Sequence, residues 1–240
     1  MSRDRGSIRS GVSARTDDQA LLTTLAAKAA PGTAALLVID VQNDFAADDG
    51  FFGRIGADVA SIQANVIPPL ARLIERARAA GVLVVFIQAI YDPADLSAPM
   101  RERNLRRGVE MPRCLTGSWG AAFHTVGPAP GDELVIKHRY SAFQRTELDA
   151  VLKRHGITSL LLSGIATDTC VESTGRDGYF MDYYVTMLAD CCGAFEAADH
   201  AGALKRFDRD YGAVVTSAEV IESWAGAAAP TTRESEAAHG

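Results

Sequence analysis

Cysteine is scarce in this chain: four in 240 residues, Cys114, Cys170, Cys191 and Cys192. Two are adjacent, and the spacing makes neither a CxxC metal pair nor a disulfide framework. A reducing, cytoplasmic setting is therefore expected. No apolar run approaches the ~20 residues of a membrane span. The Arg- and Ser-rich start, MSRDRGSIRSGVSARTDD, lacks the apolar segment of a secretory signal. We read it as a disordered extension, with an organelle transit peptide as the alternative. Net basic charge is missing too: the formal charge is −6, which argues against general nucleic-acid binding. The basic cluster RERNLRR (101–107) reads as a solvated face. Histidine is also sparse, and none falls in the segment around Cys170, SGIATDTCVEST (163–174).

What is present is the composition of an ordinary globular domain, 48% hydrophobic and 22% charged. Residues 1–16 and the Ala-, Pro-, Thr- and Glu-rich 226–240 are expected to be disordered, leaving a single domain over 17–225. Apolar runs at ALLVID (35–40), VLVVFIQ (82–88), ELVIK (133–137), TSLLLSG (158–164), YYVTMLAD (183–190) and AVVTS (213–217) predict six strands. Helical patterns intervene, one over about 58–80 stopped by Gly81, others near 146–155, from about 168, and over 197–210. The stretch 91–130 reads as irregular. Near-continuous apolar strands separated by helices imply a mainly parallel sheet covered on both faces, a three-layer α/β fold.

Ligands of such sheets bind beyond the carboxyl ends of the strands. Asp40 ends the first strand, Lys137 ends the third, and Cys170 lies just past the fourth. An acid, a base and a thiol are thereby expected at one edge. Each also has a plainer role available: Asp40 as a cap, Lys137 reaching to solvent, Cys170 as a small packing residue. A helix capped by Thr167 or Asp168 would set Cys170 in its first turn, where the dipole favours a thiolate, and a nearby Lys137 would add to this. His138 follows Lys137 directly and would point to the opposite face, so a carboxylate is the better base.

LLVIDVQNDF (36–45), VIKHRYSAF (135–143) and SGIATDTCVESTGRDGYFMDYYVTMLADCCGAF (163–195) resemble the isochorismatase-like cysteine hydrolases, in order and across most of the core. The resemblance implies a doubly wound sheet and an Asp-Lys-Cys triad falling on Asp40, Lys137 and Cys170. It further implies a non-proline cis peptide at Ile165–Ala166, aiming the N–H groups of Ala166 and Cys170 into an oxyanion hole. In one branch of the family an Asp and two His after the second strand hold a metal. QAIYDPADL (88–96) has no histidine, so no metal and no cofactor is expected.

Cys170 favours amide C–N hydrolysis over the vinyl-ether cleavage of true isochorismatases, which share KxRYSAF but lack that cysteine. The match is best to ureidoacrylate amidohydrolases, with biuret and N-carbamoylsarcosine-type amidases next and a non-catalytic binding member last. Phe45, Gln88, Trp119 and Tyr140 are substrate-pocket candidates by position, and Arg139 or an arginine of 101–107 is a candidate for a substrate carboxylate. Cys191 and Cys192 are expected to pack, and Arg176 to be structural. A small-molecule partner and a homo-oligomer, dimer or tetramer, are implied; nucleic acid and membrane are not.

Overall fold

The computed structural model describes residues 21–109 and 112–227. Its centre is a six-stranded parallel sheet: β1 (Ala34–Ile39), β2 (Leu83–Ala89), β3 (Glu133–Lys137), β4 (Ser159–Ile165), β5 (Tyr184–Gly193) and β6 (Ala213–Val215), in the spatial order β3-β2-β1-β4-β5-β6. The order reverses direction after β1, so the chain is doubly wound and the switch point lies between β1 and β4.

Alternate residues of the strands enter two separate cores, as the period of two requires. Leu36, Val38, Val84, Phe86, Leu161 and Leu188 face one side. Ala35, Leu37, Ile39, Val85, Ile87 and Leu162 face the other.

The helices are α1 (Leu25–Lys28), α2 (Asn43–Ala46), α3 (Phe51–Arg54), α4 (Val59–Asn65), α5 (Ile67–Ala80), α6 (Ala98–Arg106), α7 (Leu148–Arg154), α8 (Glu172–Phe180), α9 (Ala197–Asp210) and α10 (Ser217–Ala227). The apolar stripe of α5 (Leu70, Leu73, Ile74, Ala77) and Val220 and Trp224 of α10 cover the first face. Leu148, Val151 and Leu152 of α7 and Phe207 of α9 cover the second. None of these helices is long and apolar enough to cross a membrane.

Three details differ from the sequence reading. The helix expected over 58–80 is two helices, because Pro68 and Pro69 fit only the first turn of a helix and force a restart at Ile67. The stretch 91–130 contains α6, which has no buried residue and therefore no apolar period to detect. Finally, α10 runs through Ala227, so a boundary at 225 falls inside a helix. The expected extension 1–16 and the rest of the tail lie outside the described residues. Gly81 does stop α5, in the left-handed conformation with φ 76°.

Candidate active site

Asp40 follows β1, Lys137 ends β3, and Cys170 stands in a single π-helical turn (Thr167–Val171) between β4 and α8. Their side chains meet. Lys137 Nζ contacts Asp40 Oδ2 at 2.7 Å and donates to Cys170 Sγ at 3.4 Å and to the Arg139 carbonyl at 2.9 Å. Asp40 and Lys137 have no solvent exposure and Cys170 has 4%.

The sheet explains why the cation is a lysine. β3 is separated from β1 by the whole of β2, so the ammonium must reach across two strand spacings, about 10 Å. The long lysine stem covers most of that span, and the Asp40 side chain and the ion contact close the rest. The β2 residue in register with Lys137 is Ala89, fully buried and small enough to be crossed.

On the other side β1 and β4 approach very closely. Gly164 pairs with Ile39, has φ 117°, and a Cβ there would overlap the Ile39 carbonyl oxygen. Only glycine fits this position. Asp40 itself has φ 54°, unusual for a non-glycine residue, and its N–H is held by the Ile87 carbonyl at 3.0 Å. The Ile165–Ala166 peptide is cis.

The remaining polar residues of LLVIDVQNDF hold the surrounding loops. Gln42 donates to the carbonyls of Ala89 and Ala121 and accepts from the Ala89 N–H, tying the ends of β1 and β2 together. Asp44 accepts from the N–H groups of Phe51 and Cys114. Asn43 donates to the Trp119 carbonyl. These ties run to backbone; Asn43 Oδ1 also meets His124 Nδ1 at 3.0 Å, and Gly120 leaves room for the Asp44 carboxylate that a Cβ there would overlap.

Burial governs the charges. It raises the Asp40 carboxyl, with Lys137 offsetting only part of the effect. Burial alone would depress Lys137, but Asp40, Cys170 and Tyr91 around it win, and its ammonium is held well above its ordinary value. Burial pushes the Cys170 thiol up to about 12, against the pull of Lys137. The resting group is therefore a thiol. This corrects the expectation of a dipole-stabilised thiolate, and the capping fails as well. Thr167 Oγ1 pairs with His200 Nδ1 at 2.9 Å and Asp168 accepts from Thr169 Oγ1, so neither side chain caps the turn. Among the described residues, no donor meets either Asp40 oxygen in hydrogen-bonding geometry, so the contact to Lys137 is ionic. A buried carboxylate with an uncommitted oxygen can accept a proton from a neighbouring thiol.

A cavity of about 150 Å³ opens above Cys170. Of the pocket candidates Phe45 and Tyr140 line it, and Arg103 is the arginine of 101–107 that does; Phe52, Tyr91, Phe195 and Arg113 line it without having been candidates. Gln88, Trp119 and Arg139 stand away from it. The Gln88 amide donates to the Ala121 carbonyl, the Trp119 ring is 56% exposed, and Arg139 donates to the Asp95 and His138 carbonyls after the chain turns past Lys137. Arg176 pairs with Glu172 and stacks on Tyr211, while Cys114, Cys191 and Cys192 are buried in the cores. Among the described residues no group of three or more His, Cys, Asp or Glu side chains gathers as a metal-ligand set.

Comparison with known proteins adds to this geometry. Residues 34–220 match the isochorismatase domain model. The ureidoacrylate amidohydrolase RutB of Methylobacterium radiotolerans is 40% identical over 173 residues, 67% of this chain and 67% of that protein. The crystal structure of a cysteine hydrolase from Pseudomonas syringae pv. phaseolicola superposes with a TM-score of 0.72 at 28% identity, covering 82% of this chain and 94% of that one. An N-carbamoylsarcosine amidase from Thermoplasma acidophilum does so with a TM-score of 0.61 at 26% identity, over 77% of this chain and 96% of its own.

Proposed function

We infer, from the premise that this chain belongs to the isochorismatase family, that it is a metal-independent cysteine amidohydrolase acting on a small amide or ureido acid. The observation that carries the reading is Lys137 Nζ touching both Asp40 Oδ2 and Cys170 Sγ at the floor of a cavity. The ureido acid is the preferred class because the relatives at about 40% identity are ureidoacrylate amidohydrolases.

In the reaction we propose, the Asp40 carboxylate takes the Cys170 thiol proton as Sγ attacks the substrate carbonyl carbon. Transfer at the moment of attack suits a thiol that burial keeps protonated at rest. The N–H groups of Ala166 and Cys170 receive the developing oxyanion. Asp40 then protonates the leaving nitrogen, the C–N bond breaks, and a thioester remains on Cys170. Asp40 next takes a proton from water, whose oxygen attacks the thioester carbon; the C–S bond breaks and the sulfur regains its proton. A terminal ureido group loses ammonia in the first half and leaves as a carbamate in the second, which decomposes to amine and carbon dioxide. Lys137 keeps its charge throughout and steadies whichever neighbour is anionic.

A cytoplasmic setting belongs to the same proposal, supported by four cysteines that are all free and buried. So does a homo-oligomer, supported by the exposed apolar side chains of Leu134, Ile136 and Phe180. The test of function is ammonia release from a panel of ureido acids, N-carbamoyl amino acids and simple amides, with Cys170→Ala alongside. We expect turnover of ureido acids, a mass increase on the intact chain at Cys170 during it, and neither in the variant. Unchanged turnover by Cys170→Ala would end the nucleophile assignment.

A further inference from the structure

We propose that Arg113 selects the substrate, by pairing with a carboxylate carried at the end of the molecule remote from the scissile amide. The inference rests on the amidohydrolase reading and deepens it. Arg113 is a cavity residue clamped between two rings, its Cζ 5.3 Å from the Phe51 centroid and 5.2 Å from that of Tyr91. Cation–π contacts to two rings hold the guanidinium in place without using its N–H donors.

Among the described residues no hydrogen bond or ion pair uses them. Ion pairs among the described residues engage Arg78, Arg106, Arg154, Arg176, Arg206 and Arg209, and omit Arg113. A half-buried guanidinium with its fork free matches a carboxylate bidentately.

A second orphan stands beside it. The Tyr91 hydroxyl is buried with no hydrogen-bond partner among the described residues, and the residue lines the same cavity. The phenol and the guanidinium thus lack an acceptor together. The Tyr91 ring also lies 5.8 Å from Lys137 Nζ, so one aromatic side chain spans from the reacting centre to Arg113. That sets the scale of the ligand: an acid with a short spacer between carboxylate and amide. The cavity volume, equal to roughly five waters of liquid, agrees.

The polarity of the cavity sets its direction. Asp168 and Asp199 also line the space and would repel a carboxylate. The anionic end belongs at Arg113 and away from these acids. Arg103, the other cavity arginine, has its guanidinium 5.9 Å from the Tyr140 ring and reaches Asn104 Oδ1 at 3.4 Å; it serves as the control for charge alone.

The experiment compares wild type, Arg113→Gln, Arg113→Lys and Arg103→Gln on a short ureido acid and on its analogue bearing hydroxymethyl in place of carboxylate. We expect the ratio of kcat/KM, acid over alcohol, to fall on the order of 30-fold in Arg113→Gln, mostly through KM. Arg113→Lys should recover part of it, and Arg103→Gln should lose much less. An unchanged ratio in Arg113→Gln, or an equal loss in Arg103→Gln, overturns the proposal. A second readout needs no chemistry: the Arg113 Nε–H NMR resonance titrated with butyrate. A saturable shift supports the subsite, and no shift overturns it. Hydrolysis of amides with no preference for acids refutes the subsite and spares the amidohydrolase reading. A butyrate shift in a protein that hydrolyses no amide does the reverse.

Discussion

Replacing Lys137 by methionine tests the logic of the buried ion pair. The stem keeps its length and the charge is removed. What remains is Asp40, fully buried, with no donor in hydrogen-bonding geometry among the described residues and the Lys137 counter-charge gone. Breaking a buried pair on one side costs about 3–5 kcal/mol, or about 6–20 °C in Tm for a domain of this size. The deficit must depend on pH. The folded-state pKa of Asp40, already raised by burial, rises further when Lys137 is gone. A group whose folded pKa lies above its unfolded value adds stability below the unfolded value and loses it as pH rises through the folded one. Lys137→Met should therefore be closest to wild type in mild acid and fall behind toward pH 8. The double variant Asp40→Asn, Lys137→Met removes both charges and should recover most of the loss, since a buried pair is often replaced at little cost. Urea denaturation of the three proteins between pH 5 and pH 8 reads all of this. A single variant as stable as wild type and flat with pH, or a double variant no better than the single, would refute the reasoning.

Two further outcomes follow from the same geometry. The acid limb of kcat/KM should titrate above the ordinary carboxylate range, because burial raises the carboxyl that must be ionised to take the thiol proton; a limb near pH 3.8 contradicts the role given to Asp40. Gly164→Ala should cost about 2–4 kcal/mol, from a positive φ and an overlap with backbone that cannot move aside, and a denaturation midpoint within error of wild type would show that β1 and β4 do not approach so closely.

The sheet was legible because its inner strands are buried on both faces and so read as unbroken apolar runs, while β3 keeps an apolar run although Leu134 and Ile136 are exposed. The three chemical residues were legible because strand ends are where a parallel sheet gathers them. The cavity wall was legible only in part, at Phe45, Tyr140 and the arginines of 101–107. Tyr91, Arg103 and Arg113 lie in the stretch from 91 to 130, whose path is set by contacts from Gln42, Asn43 and Asp44 to backbone groups. Ties to backbone groups leave little mark on the sequence of the loop they hold, Gly120 beside the Asp44 carboxylate being one. Trp119 was a reasonable choice by type, yet it is the carbonyl of Trp119 that Asn43 holds, and the ring is turned outward. The polar residues of QNDF carried the usable hint, since polar residues in a fully buried stretch must have partners somewhere. The charge state of Cys170 was misjudged for a related reason: the depth of burial, which dominates it, is not written in the residues next to it.

Lys137 reaching across β2 to Asp40 has a consequence for assembly. The proposed centre draws on an outer strand, the strand at the switch point and the turn after a third, and β2 must lie between them before the ammonium has anything to meet. Neither half of the chain cut within 91–130 carries the constellation. Two such fragments would be inert apart, and turnover would return only on complementation, making catalysis a reporter of the completed sheet.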